Sequence, residues 1–310
     1  MKTEELKSKI KSILTKKYGL NVFACVKENG ELTLHKFLIN DRLKDDIKLM
    51  INSTVEKTFI SENCELKSAD NIADKSQALY EIVQNKNFYP FKFINNYANV
   101  SDVYSEKEQG NLYGLFFKLN FNDNEIWFYQ HIYQVRMIKR SKSLYAMLTN
   151  TTYVPLDRDI LKIDSRLDIL IINKSIITSN IDLLQRSFGF ENYIHNEASK
   201  TIQMINDLDI VSDISKVIEF GNHKNLTNAK KLLKSKQSQV LKMEKGQLIN
   251  SLKKHDRYKT MFNFKNDRII IKTQQNIKNL INMLNDNIVR SELTNLEYDS
   301  LNKNILKPLN

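Results

Sequence analysis

The chain has 310 residues, 41% hydrophobic and 27% charged, with 47 Lys and Arg against 36 Asp and Glu for a formal charge of +11. That supplies apolar mass for one large or two ordinary cores and excludes a low-complexity or disordered chain. Two cysteines, Cys25 and Cys64, are too few for a disulfide framework or a structural zinc site; with no run of 18 apolar residues and a charged, helix-patterned start, the expected location is the cytoplasm.

A first helix is expected over about residues 4–18, followed by strand-like runs at 21–26 and 31–38 joined at Asn29 and Gly30 into a hairpin. Asp41 is the candidate N-cap of a helix reaching about residue 59, and a short helix is expected over 76–84. Residues 85–110, polar and aromatic with Pro90 among them, read as a loop crossing a core surface. Tyr113, Leu115, Phe117, Leu119 and Phe121 then alternate with Gly114, Phe116, Lys118 and Asn120, the period of a strand whose second face is partly wet. After a turn at residues 122–124, the return strand 125–138 is apolar or aromatic on both faces and should be central; His131 on it reads as a packed histidine. Short strands are expected at 160–164, 167–173 and 175–179, with a tight turn at Asn173 and Lys174.

Beyond residue 180 the pattern becomes helical. Helices are expected over 181–188, stopped by Gly189, and over 191–208, with Ile194, Ala198, Ile202 and Ile205 on one face. A basic helix follows, capped by Asn225 or Thr227, then a break at Gly246, a helical turn through Lys254, a strand at 268–272 and helices over 274–285 and 294–306. The fold class is α+β: a mostly antiparallel sheet from the first 180 or so residues, followed by a largely helical part. The expected divisions are 1–110, an α/β region with a hairpin; 111–223, the aromatic-rich sheet and following helices; and 224–310, a basic helical region that the alternative reading joins to 111–223.

The charge is unevenly distributed. Residues 224–310 hold 18 basic and 7 acidic side chains, whereas 151–223 hold 7 and 11. Within 224–259 there are ten lysines and Arg257 against Glu244 and Asp256, a density that a polyanion can feel and that scattered charge cannot match. On one helix, Leu226, Ala229, Leu233, Val240 and Met243 make an apolar stripe and Lys230, Lys231, Lys234, Lys242 and Lys245 an adjoining cationic arc, with Lys236 snorkelling from the apolar side. Lys253, Lys254 and Arg257 extend the candidate set, and Arg136, Lys139, Arg140 and Lys142 form a second cluster at the end of the aromatic strand. Solvated surface accounts for such lysines equally well. An anionic membrane surface is the weaker alternative, because the stripe lacks Trp and Phe.

No catalytic residue, metal site or cofactor is assigned. There is no glycine-rich loop ending in Lys-Ser/Thr, no nucleophile elbow, and no Cys/His ligand spacing. Asp157, Asp159, Asp164 and Asp168 precede Lys174 in the manner of a metal-dependent nuclease, yet Ile172 stands where the second carboxylate would be needed, so these acids are expected to cap turns and face water.

At these residues the chain resembles a known family. Ile163 and Asp164, the run Leu167, Asp168, Ile169, Leu170 and Ile171, the turn at Asn173 and Lys174, Ile176 and Ile177, and the close at Phe188, Gly189 and Phe190 are similar to the central signature of the B subunit of the Kiwa anti-phage defence system. Trp127, Phe128 and Tyr129, the basic cluster after them, and Leu296, Glu297 and Tyr298 occur in the same order, so the resemblance runs from about Leu112 to the C-terminus. It implies a defence protein that binds phage DNA without sequence preference, lacks a recognised nuclease site, and acts with a membrane-embedded A subunit that recruits it to the inner membrane face. A homodimer is a further expected partner. The alternatives are a module that docks an acidic protein and a divergent metal-dependent nuclease.

Overall fold

The computed structural model describes residues 2–299 apart from 16, 73–77, 86–87, 106–109, 122–123, 134–135, 139–145, 150, 156–158, 223–225, 292 and 294–296. Two compact units are formed, one from Met1–Leu66 with Gln77–Asn180, the other from Lys67–Ser76 with Ile181–Asn310.

The first unit opens with α1 (Thr3–Leu14), whose Leu6, Ile10 and Ile13 recur at three- and four-residue steps and are all buried. β1 (Gly19–Glu28) and β2 (Glu31–Lys36) form the expected hairpin; Asn29 and Gly30 both take positive φ, 51° and 88°, as a tight turn between right-twisted strands requires. α2 (Asp41–Thr58) is capped one residue earlier than expected: Asn40 accepts the Leu43 N–H at 2.9 Å, and Asp41 is the first helical residue, where its carboxylate meets the positive end of the helix dipole.

The sheet is completed by β3 (Leu66–Ser68), β4 (Leu79–Val83), β5 (Leu112–Phe121), β6 (Asn124–His131), β11 (Ile169–Ile172) and β12 (Ser175–Thr178), in the order β2-β1-β5-β6-β11-β12-β4-β3. Every pairing from β2 through β4 is antiparallel. Between β6 and β11 lie β7 (Met137–Ile138), which pairs with β10 (Ile160–Leu161), and a hairpin of β8 (Ala146–Thr149) and β9 (Thr152–Pro155).

Both faces of the sheet are dry. On one, Leu115, Phe117, Ile126, Phe128 and Leu170 meet the apolar stripes of α1 and α2. On the other, Phe116, Trp127 and Tyr129 pack in edge-on and tilted pairs with Phe91, Phe93 and Tyr97 from the 85–110 segment, part of which is a 3-10 stretch at Lys92–Asn99. Even Lys118 on that face is only 2% exposed; its ammonium pairs with Glu125 at 2.7 Å and lies 3.5 Å from the Tyr97 ring centroid, so the partly wet face expected for β5 is not observed.

Three further expectations for this unit are corrected. Residues 79–83 of the supposed helix 76–84 are a strand, because their backbone completes the β12 ladder; residues 76 and 77 lie outside the described residues. β6 ends at His131 rather than residue 138, where Arg136 caps it by donating Nη1 to the His131 carbonyl at 3.0 Å. The strand expected at 160–164 is confined to β10 and stays out of the main sheet.

The second unit is mainly helical: α3 (Ile181–Phe188), α4 (Phe190–Asp207), α5 (Ser215–Gly221), α6 (Leu226–Ser235), a 3-10 turn at Val240–Lys242, α7 (Lys245–Lys254), α8 (Asp256–Met261) and α9 (Gln274–Leu284). Small hairpins are made by β13 (Phe264–Lys265) with β14 (Arg268–Ile269), and by β15 (Ile288–Arg290) with β16 (Glu297–Asp299). Gly189, at φ 70°, separates α3 from α4 as expected. α4 buries Phe190, Tyr193, Ile194, Glu197, Ala198, Thr201, Ile202 and Ile205, a complete helical stripe. Its crossing with α5 and α6 needs a glycine, since a Cβ on Gly221 would come within 2.8 Å of Ile202 Cδ1 and 2.9 Å of Leu232 Cδ1.

Gly246 makes no break, because it lies inside α7. The strand expected at 268–272 is limited to Arg268–Ile269. Of the helix expected over 294–306, residues 297–299 form β16, and the rest falls outside the described residues.

Candidate nucleic-acid interface

The basic stretch is not one helix. α6 ends at Ser235, where the Ser235 hydroxyl bonds the Lys231 carbonyl and Asn285 and the Ser238 hydroxyl is held by the Leu284 carbonyl, so the chain turns before Val240. The single cationic arc expected for Lys230, Lys231, Lys234, Lys242 and Lys245 is therefore divided over α6, the 3-10 turn and α7. Lys230, Lys231 and Lys234 still share about 100° of the α6 circumference, opposite its buried Ala229, Leu232 and Leu233.

The fates of the individual cations differ. Lys231, Lys242 and Lys254 are exposed and Lys230 half-buried, and among the described residues none of the four forms an ion pair. Lys245 is held by Asp209 at 2.7 Å, together with Arg268 at 2.8 Å, and Asp209 sits below its ordinary carboxylate range because of these hydrogen bonds. Lys253 pairs with Asp267 at 2.7 Å and lies 5.8 Å from the Phe264 ring centroid. Lys234, and Lys253 with Lys254, stand in the last turns of α6 and α7, where cations also offset the helix dipole. Arg257 is exposed on α8.

Lys236 is the cation most removed from solvent in function. It closes an ion triplet on Glu197, which also binds Lys200; Glu197 is 3% exposed, on the buried stripe of α4. Burial pulls this carboxyl upward, and the hydrogen bonds from the two ammoniums outweigh it and hold it below its usual range. An acid at a core position of an otherwise apolar helical stripe was the available sign that it needed a cation from another segment.

The second cluster lies in the other unit, and of its members only Arg136 falls within the described residues; Lys139, Arg140 and Lys142 lie outside them. Arg136 is engaged locally, pairing with Asp164 at 2.8 Å with its side chain 11% exposed. Of the four aspartates, Asp157 lies outside the described residues and Asp159 is exposed. Asp164 also takes Lys162 at 3.2 Å. Asp168 does not face water as expected: it is 3% exposed, pairs with Arg166 at 3.0 Å and accepts the His131 backbone N–H at 2.8 Å. Among the described residues no group of three or more His, Cys, Asp or Glu is placed to hold a metal ion.

His131 is packed, as expected. Its Nδ1 faces the Tyr129 hydroxyl at 3.2 Å, its ring meets Tyr113 and Tyr133 edge-on, and burial pushes its pKa down. Cys25 is fully buried, and Cys64, half-buried, donates weakly to the Thr58 carbonyl. Among the described residues no helix is long and apolar enough to cross a membrane.

Comparison with known proteins agrees with the resemblance seen in the strands around Asp164 and Asp168. The chain is 23% identical over 319 aligned positions to the Kiwa protein KwaB of Escherichia coli O55:H7 (strain RM12579 / EPEC), covering 99% of each chain. No solved structure matches. The family described as Kiwa protein KwaB-like matches residues 109–294, more than half of the chain and spanning both the sheet core and the basic helices, and the chain belongs to that family, which implies a part in anti-phage defence.

Proposed function

We propose that the chain acts in anti-phage defence by binding DNA without sequence preference through the cations of its second unit, together with a membrane-embedded subunit of the same system. The supporting observation is that Lys230, Lys231, Lys242 and Lys254 have no ion pair among the described residues, in a region where Lys236, Lys245 and Lys253 are already neutralised. Lysines that the fold leaves uncompensated are the ones able to exchange a counterion for a phosphate. Lysine outnumbers arginine ten to one between residues 224 and 259, which favours backbone contact over bidentate base readout. Occupancy of the duplex then obstructs the passage of phage enzymes without cleavage.

The test is a titration of random-sequence duplex over a range of salt. Four phosphate contacts predict that log K falls against log salt with a slope of about −3.6. Binding that is flat in salt sinks the reading, and so does binding to the protein fraction of a cell at fixed stoichiometry that added DNA does not displace, the behaviour of a module for an acidic partner.

A further inference from the structure

A cavity of ≈ 320 Å³ opens in the first unit, at the end of the sheet where β6 begins and β11 and β4 finish. Its walls come from five segments: Lys9 and Ser12 of α1, Gln84 just past β4, Tyr89 and Asn95 near the 3-10 stretch, Trp127 of β6, and Asn173 in the β11–β12 turn. No one segment could shape it alone. The volume sits at the lower end of the range used for small-molecule ligands, about 300–1,000 Å³.

The charges in the wall are already answered. Lys9 pairs with Glu5 at 2.7 Å; Glu125 pairs with Lys118 through one oxygen and takes the Trp127 indole N–H at 3.3 Å on the other. An ion entering here finds no counter-charge, so the fitting ligand is neutral. What is unanswered is polar and uncharged. Gln84 is 8% exposed, yet its Oε1 has no hydrogen-bond partner among the described residues. A buried amide oxygen left without a donor costs about 1–3 kcal/mol, and a ligand N–H removes that cost. The Tyr89 hydroxyl accepts from Asn95 Nδ2 at 2.5 Å, which leaves its own proton to donate to a ligand oxygen or ring nitrogen. The rings of Tyr89 and Trp127 and the side chains of Ile171 and Ile172 add flat and apolar surface.

From this wall chemistry we infer that the cavity binds a nucleobase, free or as a nucleoside: a neutral planar heterocycle carrying an N–H donor for Gln84 and an acceptor for Tyr89. The site is separate from the lysines of the second unit and does not depend on the DNA-binding reading.

The experiment is calorimetric titration of the whole chain, backed by thermal melting, with adenosine, guanosine, cytidine and uridine at millimolar concentration, beside a short single-stranded oligonucleotide of each base. Binding of at least one nucleoside, weakened about tenfold or more by Gln84→Leu, is the expected result, since one hydrogen bond to a buried group corresponds to about that factor. Preference for the oligonucleotide that survives Gln84→Leu would assign the base-binding to another surface and overturn the inference. So would the absence of heat with all four nucleosides, or a Gln84→Leu protein that binds as the parent does. Should Gln84→Leu lose its native circular dichroism, Tyr89→Phe, at a position 38% exposed, carries the same expectation of weakened binding.

Discussion

Replacing Glu197 by Gln keeps the side-chain shape and removes the one charge that Lys200 and Lys236 share. Breaking a buried ion pair costs about 3–5 kcal/mol when the surviving partner stays buried. Here the survivors have a way out, because the Lys200 and Lys236 side chains are 54% and 31% exposed and can turn their ammoniums to water. The cost therefore falls to about 2–3 kcal/mol, most of it from an uncharged amide that holds two cations poorly at a 3% exposed site. Urea unfolding followed by far-UV circular dichroism reads this directly, as a lower midpoint at unchanged slope. The same carboxyl gives a pH signature. Its folded pKa lies below 4.5, so its stabilisation is complete above that value and is lost as pH falls through the lower, folded value; the Gln variant lacks this part of the acid transition. A loss below about 0.5 kcal/mol, the size found for exposed pairs, would refute the claim that Glu197 organises this part of the unit.

Other outcomes follow from particular contacts. Gly114→Ala puts a Cβ 2.2–2.4 Å from the ring and hydroxyl of the fully buried Tyr129, so it should lower thermal stability by about 1–3 kcal/mol with little change in a Gly246→Ala control, where nothing lies within 4 Å. His131, faced by Tyr129, Asp168, Arg136 and Arg166, resists protonation when folded; stability is intact above the ordinary value of 6.5 and declines as pH drops below it, and His131→Asn should flatten that decline in a pH series of urea midpoints. Lys236→Gln should leave the salt dependence of DNA binding unchanged because Glu197 already holds that ammonium, while Lys231→Gln lowers its slope by about 0.9, measured by fluorescence anisotropy.

Much of the architecture was legible wherever the local signal and the tertiary demand coincide. Asn29–Gly30 specifies a hairpin turn by itself, Gly189 stops a helix by itself, and the double-sided apolar run of β6 belongs in the middle of a sheet; it is the fourth of eight strands. The failures lie where partners distant in sequence decide. Residues 79–83 are a short apolar run that periodicity cannot assign to helix or strand, and pairing with β12, some hundred residues later, settles it. The end of α6 at Ser235 carries neither Gly nor Pro; it is fixed by hydroxyls reaching Asn285 and Leu284, fifty residues away. For the candidate interface the same limit holds more strongly. Composition located the cations, but which of them are neutralised depends on Glu197, Asp209 and Asp267, acids whose proximity no local pattern announces.

The most direct trial of the DNA-binding account reverses three charges that share one arc of α6. The protein with Lys230, Lys231 and Lys234 all changed to Glu, its helical circular dichroism intact, is titrated against random-sequence duplex at several salt concentrations. The account predicts binding weakened at every salt and a log–log slope shallower by about 2–3; affinity and slope equal to those of the parent protein would contradict it.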